Sequence, residues 1–167
     1  MKVLILHLSD IHYEKRGDVS KENVTGIIQA IKTVDSFSSV IIVVSGDIAF
    51  SGKAGQYNIA YNFFAQLKNR IKQEFDIGDI QFCIVPGNHD VDYDKGELKH
   101  QDLEEIFREK RQDSSLKDEF KKMNAFYNHA NGMHCFSDKN SLVFVKRISV
   151  LGKTITLNLI NTAAYSS

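Results

Sequence analysis

Three short apolar runs, each breaking off into a polar turn, constrain this chain more than any other feature. Val3 to Leu8 runs into Ser9-Asp10-Ile11-His12, Val40 to Ser45 into Gly46-Asp47, and Ile80 to Val85 into Pro86-Gly87-Asn88-His89-Asp90. Runs of this length, rich in β-branched and aliphatic residues, predict strands. Their near-continuous hydrophobicity, in place of alternation, predicts strands covered on both faces, the usual state of a parallel sheet. Between the first two runs Val24, Ile27, Ile28, Ile31 and Val34 recur at helical spacing, and between the next two Ala60, Phe64, Leu67 and Ile71 do the same. Each segment predicts an amphipathic crossover helix. Connections this long return every strand parallel to the last, so the chain opens as β-α-β-α-β in an α/β fold.

Beyond Asp94 the texture changes. Leu103, Ile106 and Phe107, then Leu116, Phe120, Met123, Tyr127 and Ala130, predict two more helices in a highly charged stretch, read as a helical insertion or cap over residues 95–140. Mixed-sign runs such as Arg108-Glu109-Lys110-Arg111 read as a solvated face. Leu142 to Val150 and Thr154 to Asn161 predict two strands joined at Leu151-Gly152-Lys153 as a β-hairpin. No internal repeat, low-complexity tract or linker divides the chain, so residues 1–167 read as one domain.

Composition decides which partners need a specific site. With 167 residues, 43% of them apolar, the chain can bury a sizeable core. Lys plus Arg total 21 and Asp plus Glu total 21, so net charge gives no footprint for nucleic acid or for an acidic membrane surface. The N-terminal apolar run meets His7 and Asp10 too soon for an export signal, and no stretch approaches the roughly 18 apolar residues of a membrane span. A cytoplasmic protein that does not enter membranes is expected. Cys83 and Cys135 lack the spacing of a zinc motif or disulfide framework and read as free thiols.

The chemistry collects at the three strand ends. In open α/β sheets ligands bind beyond the carboxyl ends of the strands, where the backbone turns away and leaves a crevice. Asp10 and His12, two apart on extended backbone, would project to one side and reach one cation. Gly46 and Gly87 precede the key residues at sharp strand exits, and Pro86, the only proline, suits a strand terminus. Carboxylate, amide and imidazole donors together suit manganese, iron or zinc better than magnesium or calcium. With two oxygens, Asp47 can serve two ions, Asp10 and His12 on one side and Asn88 on the other. Ions about 3.5–4 Å apart can share a hydroxide and clamp the attacking and leaving oxygens of an in-line displacement at phosphorus. Singly, each of these residues is also an ordinary turn or cap residue; the order and the strand context carry the reading.

Asp-x-His, Gly-Asp and Gly-Asn-His-Asp in this order resemble the calcineurin-like metallophosphoesterases, and Leu157-Asn158-Leu159-Ile160-Asn161-Thr162 resembles the strand and turn that follow the helical segment there. The resemblance implies the N-terminal part of a four-layer αββα sandwich. It implies Asp10 and His12 as ligands of a first divalent metal, Asp47 as the bridge and Asn88 as a ligand of the second. It implies His89 as the catalytic group facing substrate, with imidazole acting as general acid or stabilising the transition state. Asp90 would orient His89 or brace the loop. The implied activity is hydrolysis of a phosphodiester or phosphomonoester. The wording Ser-Asp-Ile-His and Gly-Asp-Ile-Ala-Phe-Ser-Gly is closest to cyclic-nucleotide phosphodiesterase-like members, with nucleic acid as the alternative substrate.

The family also supplies later histidine ligands, the last two in Gly-His-x-His, and none follows Ile160 here. His7, His100, His129 and His134 precede the last strand and stand in the wrong order; His7 and His100 read as packing or rim residues, while His129 and His134 stay open. The expectation is therefore a chain truncated before those motifs, belonging to a longer polypeptide with further domains. A catalytically impaired fragment or regulatory metal-binding module is the competing reading. Tyr13, Lys15, Arg16 and Lys53 lie near the crevice as phosphate-binding candidates or as solvated loop residues.

Overall fold

The computed structural model describes residues 2–14, 21–94, 121–133, 142–150 and 152–163. Strands β1 (Val3–Leu8), β2 (Ser39–Ser45) and β3 (Ile80–Val85) form a parallel sheet in the order β1-β2-β3. The register is continuous, with Leu4 opposite Val40 and Val40 opposite Ile80. Helices α1 (Lys21–Lys32) and α2 (Ala54–Phe75) make the two crossovers, as the periodicity predicts. A third helix, α3, spans Asn124–Gly132, and β4 (Val143–Val150) pairs antiparallel with β5 (Lys153–Ile160). Gly152 takes φ +74° in the hairpin turn, a conformation that costs glycine little.

Period two in the strands splits the apolar residues between two cores. Val40, Ile42 and Val44 of β2 and Ile80, Phe82 and Ile84 of β3 face the helices, where they pack with Val24, Ile28 and Ile31 of α1 and Phe64, Leu67 and Ile71 of α2. Ile41 and Cys83 point to the opposite face and pack against Ile148, Val150 and Leu159 of the hairpin. Helices, parallel sheet and hairpin thus stack as three layers. Lys146 of β4 also donates to the Phe82 carbonyl at 2.7 Å, tying hairpin to sheet.

Coverage on both faces holds for β2 and β3 but not for β1. Ile5 is 57% exposed on the face where Ile41 and Cys83 pack against the hairpin, although Val3 of β1 is partly buried against that cluster. Within the helical insertion, the helix predicted around Leu103–Phe107 falls outside the described residues. Helix α3 buries Phe126, Tyr127 and Ala130 in the same core as α1 and α2. No helix among the described residues is long and apolar enough to cross a membrane.

Candidate metal centre

Backbone hydrogen bonds lace the three strand-end loops into one platform. His12 N–H donates to the Asp47 carbonyl and Tyr13 N–H to the Ile48 carbonyl, each at 2.9 Å, which joins the loop after β1 to the loop after β2. His89 N–H donates to Asp47 Oδ1 at 3.0 Å and joins the loop after β3. Asn88, His89 and Asp90 form a single 3-10 turn.

Local conformation aims the side chains. Asp10, His12 and Asp47 have φ of +55°, +52° and +53°, the left-handed region that non-glycine residues rarely adopt. The expectation that Asp10 and His12 lie on extended backbone is therefore corrected: both are left-handed residues, flanking Ile11. Ile11 itself packs against the helix-side core. Such strain persists only where surrounding structure fixes it, and here the three-loop platform does so.

The two glycines serve different needs. Gly46 takes φ +103°, and a Cβ there would come within 2.7 Å of the Gly87 backbone. Gly87 has an ordinary φ of −106°, but a Cβ on it would stand 2.2 Å from Asp47 Oδ1. Close approach, more than backbone freedom, requires glycine at position 87.

His12 Nε2 lies 4.0 Å from Asp10 Oδ1 and 4.0 Å from Asp47 Oδ2. These gaps are too long for hydrogen bonds, yet two donor atoms each about 2.1 Å from one ion can stand that far apart. The donor atoms of His12, Asp47 and His89 fall within 4.8 Å of one another. The imidazoles of His12 and His89 meet nearly edge-to-face, with centroids 4.5 Å apart. Among the described residues, His12 Nδ1 is buried without a hydrogen-bond partner. Side-chain exposure falls from 70% at Asp10 through 33% at His12 to 14% at Asp47, so the cluster has one open side. The donor chemistry and the spacing fit a divalent cation.

His89 is oriented by backbone. Its Nδ1 lies 2.8 Å from the Phe50 carbonyl, an acceptor, so Nδ1 carries the proton and Nε2 is left for the cluster. Nothing in the sequence pointed to that carbonyl. Of the two roles open to Asp90, its contacts are those of a loop brace. Its side chain is fully buried and accepts from Gly87 N–H and Ala49 N–H at 2.9 Å, Ile48 N–H at 3.2 Å and Tyr57 Oη at 2.8 Å. Burial pushes its pKa up, and these four donors pull against that rise. Asn88 is exposed at the first position of the turn, and its carbonyl accepts from Tyr93 Oη at 3.3 Å.

Several nearby candidates are otherwise engaged. Lys53 pairs with Asp92 at 2.5 Å and with Asp94, which together raise its pKa, so its charge is spent within the loop. Tyr13 is 2% exposed and belongs to the core. His7 Nε2 shares a hydrogen bond with Ser45 Oγ at 2.7 Å between β1 and β2. His129 is buried against Tyr57, Tyr61 and Phe64, a packing role. Lys15, Arg16, His100, His134 and Cys135 lie outside the described residues; Cys83 is buried and free.

Comparison with known proteins agrees with this geometry. The family model for calcineurin-like phosphoesterases matches residues 3–161, a span that holds all three strand-end motifs. No curated protein and no solved structure matches the chain. A family match over nearly the whole length, carried by a cation-suited cluster at the carboxyl ends of parallel strands, assigns this chain to the calcineurin-like phosphoesterase family.

Proposed function

We propose that the chain is a metal-dependent phosphoesterase acting on a phosphodiester or phosphomonoester through a dinuclear centre. What supports the reading above all is that the donor atoms of His12, Asp47 and His89 fall within 4.8 Å of one another. Asp10 and His12 hold the first ion, Asp47 bridges, and Asn88 holds the second. Manganese, iron and zinc suit this donor set, and manganese is the first choice to test. Bound there, the ions supply Lewis acidity toward the phosphoryl oxygens and a hydroxide nucleophile.

The chain's own residues do the rest. His89, its Nδ1 held by the Phe50 carbonyl at 2.8 Å, supports the leaving oxygen as general acid in its imidazolium form, in which Nε2 also carries a proton. Asp90 keeps the loops in register. The wording of the first two motifs favours a cyclic nucleotide as substrate over nucleic acid. We place the protein in the cytoplasm and its described layers within a four-layer αββα sandwich, residues 1–167 forming one domain with its insertion at 95–140.

Manganese-stimulated hydrolysis of bis(p-nitrophenyl) phosphate tests the reading, with Asp47→Ala as the control. A loss of at least a hundredfold in kcat/KM is expected; activity that survives the substitution would remove Asp47 from the mechanism.

A further inference from the structure

The first turn of α2 carries a tyrosine that reaches the metal loops. Tyr57 is 3% exposed, and its hydroxyl lies 2.8 Å from Asp90 Oδ1 and 3.3 Å from the Asp90 carbonyl. Desolvation, and then the charge of Asp90, hold the phenol protonated, and its hydroxyl donates to that carboxylate. The other three donors to Asp90 come from the loops that bear Asp47 and Asn88. Gln56, one residue earlier, accepts from Ser51 N–H at 3.0 Å and Lys53 N–H at 3.1 Å and fixes the end of the loop after β2. The helix start thus grips both loops through adjacent side chains. Tyr57 is anchored in turn by ring contacts with Phe126 and His129 of α3, at 6.2 and 5.4 Å between centroids.

We infer that Tyr57 is a positioning residue for the metal centre: through Asp90 it sets the separation of the loops bearing Asp47 and Asn88, and hence metal affinity, without touching an ion. The inference rests on the metal-centre reading above. Groups that orient the ligands of a metal are worth about tenfold to a hundredfold in affinity. The Tyr57 hydroxyl acts one step further out, so the lower figure applies. Phenylalanine keeps the ring contacts and deletes only the donor, leaving Asp90 Oδ1 with a single partner.

The test is calorimetric titration of the full chain with Mn2+, comparing wild type with Tyr57→Phe and with Ile71→Ala. Ile71 is a fully buried residue toward the far end of the same helix and controls for general destabilisation. About tenfold weaker Mn2+ binding in Tyr57→Phe, with wild-type affinity in Ile71→Ala, is expected. Equal affinity in wild type and Tyr57→Phe, or equal weakening in both variants, overturns the inference while leaving the metal centre intact. A wild type that binds no Mn2+ overturns the centre and the inference with it. A second measurement needs no variant: on titration with diamagnetic Zn2+ the 13Cζ resonance of Tyr57 shifts, while that of Tyr61, exposed one turn on, stays put. A static Tyr57 resonance beside bound Zn2+ counts against the link.

Discussion

At the scale of single residues, the site is built from conformations that most side chains avoid. Asp10, His12 and Asp47 all sit at positive φ, each of order 1 kcal/mol or more in cost, and the glycines beside them give the backbone room. Gly87→Ala is the sharpest probe, because its Cβ would stand 2.2 Å from Asp47 Oδ1. The variant is expected to fold with Mn2+ affinity reduced by at least tenfold, read by calorimetry; wild-type affinity would mean that Asp47 can move without cost. The identities of these residues were legible in the sequence, since Asp, His and Asn after apolar runs have a chemical reason to be there. Their dihedrals were not legible. A left-handed aspartate looks the same in sequence as an extended one, and only the hydrogen bonds from neighbouring loops select between them. The Phe50 carbonyl that orients His89 was hidden for a related reason, because any residue supplies a carbonyl.

At the scale of elements, strands and crossovers followed from periodicity, as long apolar runs and 3.6-residue spacing leave few alternatives. What periodicity left open was which buried polar side chains act across elements. Tyr57 shares a helix face with Ala60 and Phe64 and reads as core until Asp90 is seen opposite its hydroxyl. His129 on α3 is the companion case. Desolvation alone lowers its pKa from the ordinary 6.5 to about 4, and aromatic rings face it. Its Nε2 has no hydrogen-bond partner among the described residues. The unfolded chain takes up this proton as pH falls below 6.5, whereas the folded chain resists until about pH 4. Stability from this residue is therefore whole above pH 6.5 and lost between 6.5 and 4. Linkage gives about 2 kcal/mol of that loss between pH 7 and pH 5. Urea denaturation at the two pH values should show it in wild type and show a flatter dependence in His129→Phe. An equally steep dependence in the variant would assign the proton elsewhere.

At the scale of the whole molecule, three layers meet at one sheet, and the hairpin covers only part of it. Sequence gave no means to see this, because β1 is as apolar as β2 and the hairpin's position depends on contacts far apart in the chain. The register makes a clean comparison, since Ile5 and Ile41 are cross-strand partners on the same face, one 57% exposed and the other fully buried. Ile41→Ala should cost about 2–5 kcal/mol and Ile5→Ala under about 1 kcal/mol in urea denaturation. Equal costs would show that the hairpin face extends over β1. The same parallel sheet delivers the catalytic candidates to one rim, so sheet, loops and metal ions stand or fall together. Anomalous diffraction from crystals soaked in Mn2+ tests that directly. Two peaks about 3.5–4 Å apart, both within coordination distance of the Asp47 carboxylate, are the predicted result; crystals with no peak at Asp47, or with Mn2+ only elsewhere on the surface, would contradict it.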